Sequence, residues 1–373
     1  MGLDAQSLLA GPRGRRMCLD LACRLDERIG LGASMLGAEL DPSPSFRSVL
    51  LFGPVAGGSG GSGGDGGAGQ ADREPPRTIE ELARDLAALD LTVLDAPSPG
   101  RTPGGDTAQL LHRALSSSVE AAMYWQEPDD QDALAALPDI GDALRPLAER
   151  VAAWAPVLGW DRPCAPQQWI LPWDRPGSPD DSWLHRDVSR WAADAREGEA
   201  AARKKQPRHA RNAPSGSWWS TPLGLQQTVD RVPAALDLVE DEMGWVDAWV
   251  TPVHGPGRTL EITGAEDWIA LCREHPLEVS ASRRGDWYQV TGRDGRWVVP
   301  DWEQVAQQWD AVHLTVAGYL QAATRALEVD ADTASVIGGW DPGSTYWLTG
   351  DVPAVTGEVQ RWLHQDEGWV RTP

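Results

Sequence analysis

Residues 296–319 read RWVVPDWEQVAQQWDAVHLTVAGY, and three periodicities follow one another inside them. Trp297, Val298 and Val299 form an apolar run that Pro300 ends, as expected of a short buried strand. Asp301 is placed to cap a helix, with Gln304 three residues on as its capping-box partner. Trp302, Val305, Ala306 and Trp309 then recur at helical spacing. From Val312 the period is two: Val312, Leu314 and Val316 alternate with His313 and Thr315, and Gly318 closes the run. Strand, capped helix, strand predicts a mixed core. Burying Trp302, Val305 and Trp309 is expected to stabilise it by about 2 kcal/mol or more apiece.

On either side of this stretch the aromatic residues divide the chain. None of the 20 tryptophans precedes Trp125, and both phenylalanines, Phe46 and Phe52, do. Either two cores or one domain with a Trp-poor helical flank fits. The expected segments are 1–55 (a weak helix at 14–29 and a strand at 48–55), a Gly/Ser-rich linker at 56–77, a helical region at 78–158 and a Trp-rich domain at 159–373. Thr78 and Glu81 make a capping box, and Asp106 and Gln109 start a second helix. A third helical stretch, broken at Pro138 and Pro146, reaches Trp154. Beyond it, strands are expected at 168–173, 258–262, 335–340 and 345–348. Residues 181–195 and the stretch after Thr263 read as helices, and 196–214 as a basic loop. Hairpins are expected at 235–253 and 286–299. Many strands with interspersed helices, and no regular βαβ alternation, predict an α+β fold.

The chain has 373 residues and a net charge of -22. Phosphate-rich surfaces attract cationic proteins, so neither a general nucleic-acid binder nor an anionic-membrane binder is expected. Four cysteines, with no Cys-x-x-Cys pair, fit reduced thiols and a cytoplasmic location. The N-terminal charges follow a short apolar piece instead of preceding it, unlike a signal peptide, and no apolar run has the length of a membrane span. Gly-x-Ser-x-Gly, His-Glu-x-x-His and the phosphate-loop lysine are absent. Cys272 and His275 lack a second ligand pair, so no metal is expected.

Two pieces suggest chemistry. Ser217-Trp218-Trp219-Ser220-Thr221 reads as extended, which sends the two indoles to opposite faces and leaves one free to stack on a planar ligand. Glu240-Asp241-Glu242 places acids at the tip of the first expected hairpin, with Glu240 and Glu242 on one side.

In order and residue type these pieces resemble the ADP-ribosyltransferase-like superfamily, over roughly residues 150–320. The resemblance implies NAD held in a cleft of a split sheet. Ser220 and Thr221 would match the family's Ser/Thr-bearing strand, Glu242 the catalytic acid beside Glu240, and Arg175 or His185 the basic residue that orients the dinucleotide. A helix followed by a strand beginning Asp310-Ala311-Val312 is similar to a segment common there. The C-terminal half is also similar to uncharacterised proteins of high-GC bacteria, which implies no activity. Two functions are therefore expected: a nucleotide-type ligand-binding protein, with ADP-ribose transfer from NAD as its enzymatic form, or a non-catalytic protein-interaction module with an exposed Trp-rich surface.

Overall fold

The computed structural model describes residues 2–40, 74–94, 105–172, 187–205, 210–212, 215–241, 244–255, 257–350, 354–366 and 368–372. The strand expected at 48–55, most of the linker, and Arg175, His185 and Glu242 lie outside them.

The first part is helical: α1 (Ala5–Ala10), α2 (Pro12–Leu25), α3 (Glu27–Leu40), α4 (Ile79–Ala87), α5 (Gly105–Glu120), α6 (Asp130–Ala135), α7 (Pro138–Ala143) and α8 (Arg145–Leu158). Local signals set several of these ends. Pro12 opens α2, where its missing N–H costs nothing. The Thr78 hydroxyl accepts from Glu81 N and caps α4. Gly159, in the left-handed region, ends α8. The weak helix expected at 14–29 is α2, and it stops at Leu25.

The second part alternates: β1 (Gln167–Ile170), α9 (Val188–Lys205), β2 (Gln227–Val229), β3 (Asp247–His254), β4 (Thr259–Ile262), α10 (Ala265–Glu274), β5 (Pro276–Glu278), α11 (Ser280–Thr291), β6 (Arg296–Pro300), α12 (Trp302–Val305), β7 (Ala311–Leu314), α13 (Val316–Ala322), β8 (Leu327–Glu328), β9 (Thr333–Ser335), β10 (Ser344–Trp347), β11 (Ala354–Val355), β12 (Gln360–Gln365) and β13 (Gly368–Arg371). One sheet runs β13-β12-β3-β1-β2-β10-β7-β4, with β11 also on β3, and a smaller sheet runs β5-β6-β9-β8. Pairing is antiparallel except β4 with β7 and β6 with β9. The fold is α+β, helices first and mostly antiparallel strands after.

Within 296–319 the expected order holds with one change. The strand ends at Leu314, and the Thr315 hydroxyl accepts from Gly318 N, so Val316 and Gly318 open α13 instead of extending a strand. The Gln304 amide meets the Asp301 carboxylate, not its backbone N–H. Both expected hairpins are replaced. Residues 286–291 belong to α11, and Gly292 (φ 69°) caps that helix instead of starting a hairpin turn. Residues 234–237 wind into a 3-10 turn, and β3 pairs with β1 and β12. The loop expected from 196 is helical as far as Lys205. The helix after Thr263 is capped from Gly264, and the Asp267 carboxylate accepts from Thr263 N.

The tryptophans fill the interior. Trp268, Trp302 and Trp340 are fully buried and meet at centroid distances near 6 Å, edge-on or tilted. Trp287 meets Trp297 in the same manner at 5.2 Å. The largest cluster of buried apolar residues runs from Leu8 in α1 to Leu348 beyond β10, with α1 and α2 packed on α13, and a smaller one gathers Leu236, Ala248, Val250 and Trp369. Among the described residues Trp125 alone of the tryptophans is exposed, and the others are buried or half-buried.

Candidate functional site

Residues 217–221 are not part of a ladder, and their indoles do not point apart. Trp218 lies flat on Trp219, with centroids 4.0 Å apart and planes 20° apart, and Tyr124 covers the other face of Trp218 at 5.3 Å and 14°. The strand geometry that would separate neighbouring side chains is missing here, which allows both rings onto one side. The segment is held by its backbone. Trp218 O accepts from Trp287 Nε1, Trp219 O from Arg283 Nε and Ser220 O from Trp302 Nε1. The Ser220 hydroxyl donates to Gly338 O and accepts from Gly338 N, and Thr221 donates to Gly339 O. Gly339 (φ 69°) lies against Trp219 where a side chain would clash. Ser220 and Thr221 are fully buried, so their hydroxyls are committed to the loop 338–341.

That loop brings Glu240 into the same neighbourhood. Glu240 Oε1 accepts from the Tyr124 hydroxyl at 2.6 Å, and Oε2 from Trp340 N at 2.9 Å. Asp341 accepts from Glu240 N and from the Gln227 amide. Burial pushes the Glu240 carboxyl up to about 8, and the neighbouring Asp341 adds to the rise against the Tyr124 and Tyr319 hydroxyls. Burial also lifts Asp341, to about 6. Among the described residues no cation pairs with Glu240, so no ion pair offsets the burial that favours its neutral form. Tyr124 thus joins Trp218 and Glu240 into one cluster.

A cleft of about 1090 Å³ opens between the helical part and the C-terminal end of α11. Small-molecule sites usually span roughly 300–1,000 Å³, so it has room for a ligand of nucleotide size. Its wall carries Arg13, Arg15, Arg211 and Arg325, with Trp125 and Tyr288 as aromatic surfaces. Arg211 stacks over the Tyr288 ring at 5.9 Å. Two of the cleft's acids are already matched: Asp132 pairs with Arg13 and Arg16, and Asp129 with Arg16. Sequence reading passed over these arginines. Residues 12–16, PRGRR, carried the signal, but only the folded chain sets them opposite Arg325. Among the described residues no group of three or more His, Cys, Asp or Glu is arranged to hold a metal ion, and no helix is long and apolar enough to cross a membrane.

Comparison with known proteins adds no relative: no family model matches the chain, and neither a curated protein nor a solved structure does.

Proposed function

We propose that this protein binds a small nucleotide-type ligand, and that the ligand occupies the cleft beside α2 and α11. The observation that carries this reading is the cleft itself, ligand-sized and lined by several guanidiniums next to aromatic rings. Arginine suits phosphate oxygens and ring faces suit a planar base. Binding is the favoured activity over ADP-ribose transfer. A catalytic acid of that kind stabilises positive charge on the ribose, and the residue matched to it, Glu242, lies outside the described residues, so nothing in the cleft supports that step. The interaction-module alternative is supported less directly, since ten of the described tryptophans are buried.

Calorimetric titration with NAD, AMP and ADP tests the reading. At least one is expected to bind saturably below about 1 mM, a free energy of roughly -4 kcal/mol or better. Tyr288→Ala is expected to weaken it several-fold. No binding of any of the three at millimolar concentration removes the proposal. Labelling of an acceptor from NAD that Glu242→Gln abolishes would restore the enzymatic form.

A further inference from the structure

Three arginines stand within positions 13–16 of α2, and they meet different partners. Arg13 is fully buried and complete: Nε donates to Thr324 Oγ1, Nη1 to Ser118 O and Nη2 to Asp132. Arg16 is paired with Asp20 through Nε and with Asp129 and Asp132 through Nη1. Arg15 turns the other way. Its Nη1 donates to Leu9 O and Ala10 O at the end of α1, at 2.9 and 3.2 Å. Arg325, which follows α13, donates from its own Nη1 to the same Ala10 oxygen at 3.3 Å. Two guanidiniums therefore converge on one carbonyl, and both line the cleft.

This arrangement is incomplete in a specific way. Among the described residues neither Arg15 nor Arg325 has a carboxylate within ion-pair distance, although the chain carries 55 acids. The Nε–H of each is buried and has no acceptor. Burial holds both guanidiniums below the usual arginine range. At Arg15 the Asp132 carboxylate opposes that shift while Arg325 adds to it, and at Arg325 Glu266 opposes it. Two neutral carbonyl oxygens, Leu9 O and Ala10 O, do not balance two adjacent positive charges. A multidentate oxyanion does, because each planar fork offers parallel N–H donors to tetrahedral or planar oxygens.

We propose that Arg15 and Arg325 form an oxyanion subsite in the cleft that takes a phosphoryl group of the ligand. This rests on the cleft being the ligand site, and it fixes which end of the ligand the two arginines hold. Arg13 and Arg16, already satisfied by aspartates, are outside the subsite and maintain its wall.

The test is calorimetric, on the full chain, with inorganic pyrophosphate, ADP and adenosine as probes. Wild type, Arg15→Gln, Arg325→Gln and Arg15→Lys are compared, with thermal unfolding as the control for folding. Pyrophosphate and ADP are expected to bind wild type, with affinity falling as salt rises. Each Gln variant is expected to lose at least about tenfold, and Arg15→Lys to recover only part of it. Should Arg15→Gln fail to fold, Arg325→Gln carries the comparison alone. Equal ADP affinity in wild type and both Gln variants overturns the subsite while leaving the nucleotide reading in place. Arginine-dependent pyrophosphate binding, with ADP no tighter than pyrophosphate, supports the subsite and removes the nucleotide reading. Absence of binding by pyrophosphate and ADP alike overturns both.

Discussion

Arg13 and Arg15 are two residues apart on one helix, and their surroundings are opposites. Arg13 ends on Asp132, Ser118 O and Thr324, with every donor group of its guanidinium engaged. Arg15 shares a carbonyl with Arg325 and keeps an unmet Nε–H. Burial disfavours charge at both positions. At Arg13 burial is the largest influence, but Asp132 and Tyr319 together outweigh it and the balance rises, whereas at Arg15 burial prevails. Neighbouring residues of one type thus divide between architecture and recognition according to what faces them. An arginine whose partners belong to the chain holds the chain together, and one whose partners are missing has capacity left for something else.

The widest gap between the two should appear in stability. Arg13→Ala strands Asp132 beside Arg16 alone and removes the link to Thr324. A loss of about 3–5 kcal/mol is expected in urea unfolding; a loss under about 1 kcal/mol would mean that the network is not closed.

An intermediate effect is expected from Glu240 and Asp341, the acid counterpart of Arg15, since among the described residues neither has a cation against it. Both carboxyls sit above their ordinary values in the folded chain, Glu240 at about 8 and Asp341 at about 6. The folded state therefore holds more protons than the unfolded one over this window. The stability these two carboxyls contribute is fully present below about pH 4 and is lost as pH rises toward 8, by on the order of several kcal/mol. Glu240→Gln, which keeps a neutral polar group, should flatten the fall between pH 6 and 8 in equilibrium unfolding. An unchanged slope would locate the titration elsewhere.

The smallest effect belongs to Arg15. Arg15→Gln removes one of two like charges and two hydrogen bonds to carbonyls, so unfolding free energy should stay within about 0.5 kcal/mol of wild type. A cost matching that of Arg13→Ala would erase the distinction and make Arg15 another structural residue.

Much of this architecture was readable beforehand, and the failures share a cause. Helices marked by caps and period, such as α4 with Thr78 and α5 with its leucines, fall where the pattern put them. The order across 296–319 was also visible, because Pro300 and Asp301 punctuate it locally. Short apolar pieces next to glycine were ambiguous. Gly292 serves equally as a hairpin residue or a helix cap, and the buried Trp287 settles it in favour of α11. Trp218 and Trp219 were set apart by assuming a strand; without a ladder partner they stack instead. The arginine pair was illegible because its meaning depends on an approach between residues 15 and 325, which no local pattern encodes.

The bond from Arg13 to Thr324 spans 311 positions. During synthesis the opening helices leave the ribosome long before their docking surface on α13 exists. Helices α1 and α2 can pack on α3, α5, α6 and α8 as those emerge, but the face they share with α13 must stay uncovered until most of the polypeptide has been made. Nascent chains stalled short of residue 324 should be the ones that recruit chaperones.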